Sequence, residues 1–189
     1  MKIGILGGTF NPIHNGHLIL ADEVRQKLKL DKVFFIPVNI PAHKEEKDLL
    51  PANERLKMVR MALKNNPCFE ALDIEIRRKG RSYTIDTLRQ LHKEYPQADK
   101  FLFIVGSDSL NYLNNWKDIS EVMKLAKFVA AARPGYPLKN LPKNILPLAI
   151  ESIDVSGFRL RQRLKAGESV RYYLSGEVYK YIDKKGLYK

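Results

Sequence analysis

The sequence predicts an α/β protein: an open, mostly parallel sheet with helices on both faces and a helical cap at its C-terminal end. Three observations carry this. Short apolar runs alternate with amphipathic stretches of about ten to fifteen residues, the pattern of right-handed strand–helix–strand crossovers. Phe101 to Val105 is apolar without interruption, as a strand buried on both faces must be. Beyond Arg133-Pro134-Gly135 a Pro- and Asn-rich loop follows, and two helical stretches close the chain.

In order, Lys2 to Leu6 reads as a short strand ended by Gly7-Gly8. From His17, apolar residues recur at Leu20, Ala21, Val24 and Leu28, the spacing of one helical face. Val33 to Ile36 is a second strand, stopped by Pro37. Pro51-Ala52-Asn53 opens a second helix, with Leu56, Val59 and Leu63 on one side. Leu72, Ile74 and Ile76 alternate with charges and read as a half-exposed strand. Thr84 to Tyr95 reads as a helix with Ile85, Leu88 and Leu91 facing inward. Phe101 to Val105 and Phe128 to Ala132 are buried strands, and a short apolar run lies near Leu146 to Ile150. Helices follow at about 156–166 and 175–185, the second stopped by Gly186. The whole chain, 1–189, reads as one domain of Rossmann-like character, its C-terminal helical portion being about 151–189. Ligands of such sheets sit beyond the carboxyl ends of the strands.

Composition narrows the function. A chain of 189 residues can bury roughly 70% of its unfolded surface and needs no disulfide or metal to hold a core. Cys68 is the single cysteine, so neither an intrachain disulfide nor a cysteine zinc site can form. The sequence has no run of eighteen apolar residues, and its first eight residues are too short an apolar stretch for a signal peptide. A cytoplasmic protein without membrane association is expected. Lys and Arg number 33 against 21 acids, a net charge of +12, which favours anionic partners. The basic residues are spread along the chain rather than gathered in a tail or stripe, so nucleic acid is not the expected partner.

The chemistry concentrates in Gly7-Gly8-Thr9-Phe10-Asn11-Pro12-Ile13-His14-Asn15-Gly16-His17, which joins the first strand to the first helix. The glycines let backbone amides approach a ligand closely. The helix N-terminus behind them carries unpaired N–H groups and partial positive charge, an anion site suited to phosphate. His14 and His17 lie three apart around Gly16, and both can face one ligand there. Three plainer readings stand beside this. The glycines could form only a turn. The histidines could ligate a metal, with His43 as the nearest third candidate, although zinc asks for three or four ligands. A nucleophilic enzyme is weakest, because Cys68 lacks a motif and no G-x-S-x-G elbow exists. G-x-x-x-x-G-K-[ST] and G-x-G-x-x-G are also absent.

Gly8 to His17 resembles the H-x-G-H signature of a nucleotidyltransferase superfamily. Further segments extend the resemblance from Lys2 to Tyr188 and make it one to the bacterial nicotinate mononucleotide adenylyltransferases. They are Pro41-Ala42-His43-Lys44, Ser82 to Thr87, Ile104 to Asp108, Trp116, Arg133 to Tyr136, Val155-Ser156 with Arg161, and Lys185 to Tyr188. The resemblance implies transfer of an adenylyl group from ATP to nicotinate mononucleotide, with Mg2+ carried by ATP and no protein metal site. It implies that His14 and His17 are catalytic, binding ATP phosphates. Gly7, Gly8, Thr9, Phe10 and Gly16 would line the ATP site, with Lys44 reaching phosphate and Gly106 and Asp108 meeting adenosine. Ser156 and Arg161 would hold the β- and γ-phosphates. Trp116 would stack on the pyridine ring, N–H groups near Thr84 and Lys117 would receive its carboxylate, and Asn39 and Arg133 would complete the mononucleotide site. A homo-oligomer is compatible with all of this.

Three positions depart from the family pattern. Asn11 stands where Asp is usual. Gly157-Phe158 replaces two hydroxyl residues of the C-terminal signature, and Lys117 replaces an aromatic. The Asn is expected to keep the loop while changing its coupling to neighbours. Rival readings are another acceptor, such as nicotinamide mononucleotide or phosphopantetheine, and a basic nucleic-acid-binding protein on the same scaffold.

Overall fold

The computed structural model describes residues 1–42, 48–132, 138, 141–142, 144–151 and 153–189, with only the backbone of residues 108 and 109. Its centre is β1 (Lys2–Gly8), which pairs in parallel with β2 (Lys32–Pro37) on one side and β6 (Lys100–Gly106) on the other. The chain leaves β1 through α1 (Asn15–Leu28) to reach β2, then passes through a small sheet of β3 (Ile40–Pro41) and β5 (Arg81–Ser82). Between these two lie α2 (Ala52–Leu63), β4 (Phe69–Ala71) and α3 (Ile74–Arg78). Helix α4 (Thr84–Glu94) leads to β6, and a 3-10 helix (Ser107–Asn115) and α5 (Ile119–Leu125) lead to β7 (Lys127–Ala131). The edge strand is β8 (Ile145–Leu148). The main sheet runs β4-β2-β1-β6-β7-β8, every pair parallel. This is the Rossmann-like α/β sheet that the sequence predicts.

Strand alternation sends side chains to two cores. Ile3, Ile5, Phe34, Ile36, Phe101, Phe103 and Phe128 face α4 and α5, whose Ile85, Leu88, Leu91 and Val122 cover them. Leu6, Val33, Phe35, Leu102, Ile104 and Val129 face the other way, against Val24 of α1 and Met58 and Val59 of α2. The same second core takes Leu160 of α6 (Gly157–Lys165) and Val178 and Ile182 of α7 (Gly176–Lys185). The C-terminal helices thus pack on the face already covered by α1 and α2. Gly186 ends α7 at φ 60, a left-handed conformation that glycine adopts without a Cβ penalty.

Boundaries differ from the sequence reading in three places. Helix α1 begins at Asn15, two residues before His17, so both histidines lie at its first turn. The apolar run near Leu146 forms a strand that starts at Ile145 and stops at Leu148. The larger change is at Leu72, Ile74 and Ile76, which form no strand. The strand is Phe69–Ala71, and Ile74–Arg78 is a short helix with Ile74 and Glu75 both buried. Alternation with charged residues suggested a solvent-facing Glu75, but that carboxyl finds a buried partner in Thr87, which helical geometry allows and a strand would not.

Phe128 is buried between Phe103 and Trp116, with ring centroids 5.3 and 6.0 Å away. Phe128→Ala should lower unfolding stability by about 3–5 kcal/mol. Urea unfolding will show this as a lower midpoint at unchanged slope.

Candidate active site

The order β2-β1-β6 places a switch point between β1 and β6, where successive crossovers depart in opposite directions. A cleft of about 870 Å³ opens there, bounded by the carboxyl ends of both strands. At one end stand Gly8, Thr9, Gly16 and His17, and at the other Ser82, Thr84 and Trp116.

His14 is the buried N-cap residue of α1. Its backbone N–H donates to Nδ1 of His17 at 3.2 Å, and its carbonyl accepts from the His17 N–H at 2.9 Å. A neutral His17 therefore carries its proton on Nε2. The two imidazoles are stacked with centroids 3.7 Å apart, and Phe10 meets His17 edge-on at 5.0 Å. His17 is thus clamped from both sides and presents one N–H donor beside the first turn of the helix. Gly16 makes room for this pair, since a Cβ there would lie 3.1 Å from His14 Nδ1. Phe10 holds φ 46, a left-handed conformation uncommon for a bulky residue. Its ring is buried against Phe35, which fixes the turn.

Three buried polar side chains hold the loop from below. Arg55, fully buried in α2, donates to the carbonyls of Thr9 at 2.7 Å, Asn39 at 2.9 Å and Leu50 at 2.9 Å. Asn11 donates through Nδ2 to the Asp48 carbonyl at 2.8 Å. Its Oδ1 accepts from the Leu50 N–H at 3.3 Å and from the Tyr188 hydroxyl at 2.8 Å. Arg161 is only 7% exposed and donates through Nη1 to the Asn11 carbonyl at 2.7 Å. The coupling expected from Asn in place of Asp is visible here, because a carboxylate could not donate to Asp48.

Of the residues expected at the site, Gly7, Gly8, Thr9, Gly16, His17, Gly106, Thr84 and Trp116 border the cleft. Phe10 and His14 lie directly behind it, stacked on or edged against His17. Ser156 is the N-cap of α6, its Oγ accepting from the Arg159 N–H at 3.3 Å. Asn39 is tied into the small sheet, donating through its backbone N–H to Ser82 Oγ at 2.9 Å and through Nδ2 to the Gly80 carbonyl at 3.0 Å. Lys117 places its ammonium 4.7 Å from the ring centre of Tyr83, the residue before α4. Trp116 is half-buried, one edge in the aromatic core and one side on the cleft. Lys44 and Arg133 lie outside the described residues, as does the Asp108 side chain.

Sequence reasoning missed Arg55, Glu75 and Tyr188. Arg55 is one position from the apolar stripe of α2, and nothing in its spacing distinguishes it from a surface cation. Glu75 borders the cleft, and burial pushes its carboxyl up; the hydrogen bond from Thr87, the neighbouring Ser82 hydroxyl and the charges of Arg78 and Arg55 oppose that shift. Among the described residues no group of three or more His, Cys, Asp or Glu could hold a metal ion. No described helix is long and apolar enough to cross a membrane.

Comparison with known proteins gives this geometry a context. The Cytidylyltransferase-like family matches residues 5–163. A Syntrophotalea carbinolica protein named "Probable nicotinate-nucleotide adenylyltransferase" is 41% identical over 215 residues, covering 100% of this chain and 98% of the relative. One of the same name from Bacillus cytotoxicus is 43% identical over 188 residues, at 100% and 98% coverage. The structure of Plasmodium falciparum nicotinic acid mononucleotide adenylyltransferase complexed with NaAD aligns at TM-score 0.82. It covers 99% of this chain and 97% of its own, at 20% identity, a likeness of fold. The chain belongs to the cytidylyltransferase-like family and, within it, stands among the nicotinate-nucleotide adenylyltransferases.

Proposed function

We propose that the protein transfers an adenylyl group from ATP to nicotinate mononucleotide, giving deamido-NAD and pyrophosphate, a step of NAD biosynthesis. The observation that carries this reading is the clamped His17 at the first turn of α1, facing a cleft of about 870 Å³. Full-length relatives bearing that activity in their names support it.

In the reaction, an oxygen of the mononucleotide phosphate forms a bond to the α-phosphorus of ATP. The bond from that phosphorus to the α,β-bridging oxygen breaks, and pyrophosphate leaves with the electron pair. The acceptor phosphate has a second pKa of about 6 and is already ionised near neutral pH, so no general base is required. What the protein supplies is position and positive potential where charge gathers. His17 Nε2–H donates to an α-phosphoryl oxygen, and the stack of His14 and Phe10 keeps the ring from turning away. Backbone N–H groups of Gly8 to Phe10 and the first turn of α1 face the phosphates. The first turn of α6, capped by Ser156, meets the β- and γ-phosphates, and Arg161 holds that helix to the loop through Asn11. Lys44 is assigned to phosphate, and Asp108, in the 3-10 helix that follows β6, to adenosine. Trp116 stacks on the pyridine ring. Backbone N–H groups at Thr84 and Lys117 receive its carboxylate, with Asn39 and Arg133 completing the pocket. A divalent cation, Mg2+, would be brought by the triphosphate and held mostly by phosphates and water. A cytoplasmic location is part of this proposal.

His17→Ala should reduce pyrophosphate release from ATP and nicotinate mononucleotide by at least about two orders of magnitude, the loss typical of one preorganised donor to a developing charge. Less than a threefold loss excludes the donor role. Wild-type kcat/KM should also be at least about tenfold higher for nicotinate than for nicotinamide mononucleotide, a difference of about 1.4 kcal/mol. Equal values would remove the assignment of paired N–H donors to a carboxylate.

A further inference from the structure

Glu75 is a buried carboxyl on the wall of the cleft that the mechanism above leaves without a task. It is 7% exposed and sits in α3, behind the end of the cleft formed by Ser82 and Thr84. Its Oε1 accepts from the Thr87 hydroxyl at 2.6 Å, the short distance of a charge-assisted O–H···O bond. Thr87 belongs to the first turn of α4, and its oxygen in turn accepts from Arg78 Nη2 at 3.0 Å. Because that guanidinium N–H points at the Thr87 oxygen, the hydroxyl proton is directed to Glu75 rather than to the Tyr83 carbonyl 3.3 Å away.

A second polar network lies beside it. Ser82 of β5, the strand just before α4, accepts from the Asn39 N–H at 2.9 Å. The Asn39 carbonyl accepts from Arg55, whose other nitrogens hold Thr9 and Leu50. One polar path therefore runs under the cleft from the Thr9 carbonyl through Arg55 and Asn39 to Ser82, and beside it a second joins Glu75, Thr87 and Arg78 at the start of α4. Removing one member of such a buried path leaves its neighbours unsatisfied, so the cost falls on geometry as well as on stability.

We propose that Glu75 is a positioning residue for the acceptor end of the cleft, fixing the first turn of α4, and with it Thr84, against α3. The proposal rests on the reading of the Thr84–Trp116 end as the mononucleotide site. The groups that face Glu75 are Arg55 from α2, Arg78 at the end of α3, Ser82 of β5 and Thr87 of α4. The ionised carboxylate accepts from the Thr87 hydroxyl more strongly than the neutral acid does. Burial raises the pKa, so the arrangement is complete above it and is lost as pH falls through it.

The test is steady-state pyrophosphate release with each substrate varied in turn, for wild type, E75A, E75Q and T87V. The expected result is an acceptor KM raised about tenfold or more in E75A and T87V, with the ATP KM within twofold of wild type. E75Q should recover most of the loss, because the amide oxygen still accepts from Thr87. The wild-type acceptor KM should rise toward acid pH with an inflection that E75Q lacks, after the phosphate titration common to both enzymes is subtracted. Equal increases in both KM values would show a general structural role and overturn the proposal. So would an unchanged acceptor KM in E75A or T87V. If E75A does not fold, T87V and E75Q decide by the same criteria. A wild type that releases no pyrophosphate with nicotinate mononucleotide overturns the functional reading and this proposal together. An active wild type with insensitive variants overturns this proposal alone.

Discussion

The parallel pairing of β1 with both β2 and β6 is the constraint from which the site follows. Parallel neighbours cannot be joined by a hairpin, so each return crosses a face of the sheet as a helix. The path from β1 goes to β2 through α1 on one face, and β6 arrives through α4 on the other. Among the described residues the carboxyl ends lie open to a cleft where these paths part. The loop from Gly8 to His14 then has one role left to it, to present the start of α1 to whatever enters.

Such a loop needs support, because it has little regular structure of its own. The support comes from buried cations rather than from apolar packing alone. Arg55 and Arg161 take the carbonyls of Thr9 and Asn11. The peptide after Thr9 is planar, so turning its carbonyl toward Arg55 turns the N–H of Phe10 the opposite way. A guanidinium under the loop thus orients a donor above it. Burying these charges is costly unless every hydrogen bond is made. Arg55 meets that condition with three carbonyls at 2.7 to 2.9 Å. This accounts for two arginines among the buried residues of a protein whose net charge is otherwise carried on its surface.

How much of this the sequence disclosed depends on the range of the interaction. Strands β1, β2, β6 and β7, the main helices and the Gly7 to His17 loop are local patterns, and they were legible. That His14 and His17 share one end of the helix was legible too, since residues three apart lie on one side; that their rings stack was not. The polar path under the cleft was not. Arg55 to Thr9 spans 46 residues and Tyr188 to Asn11 spans 177, and neither partner carries a local signal of the other. Glu75 was actively misleading. Its place between Ile74 and Ile76 imitates the alternation of an exposed strand, while its real partner is twelve residues away in α4. The small β3–β5 sheet has only two residues per strand, too few for any periodicity to register.

Two of the departures from the family pattern prove to be in contact. A Cβ on Gly157 would lie 3.0 Å from the Asn11 carbonyl oxygen, so the glycine allows α6 to close tightly on the loop. That closeness is what lets Arg161, one turn further along α6, reach the same carbonyl at 2.7 Å. Asn11 in turn uses its amide to hold Asp48, whose carboxylate pairs with Lys165 at the end of α6 at 2.9 Å. Loop, α6 and the segment after residue 47 are therefore tied in a closed circuit, through backbone contacts that hydroxyl side chains at 157 and 158 would not supply. Read one at a time, the missing hydroxyls suggest a weakened grip on the triphosphate. Read together with Asn11, they describe a different way of setting the N-terminus of α6, held closely against the Gly7 to His17 loop by Arg161 and the absence of a Cβ at 157.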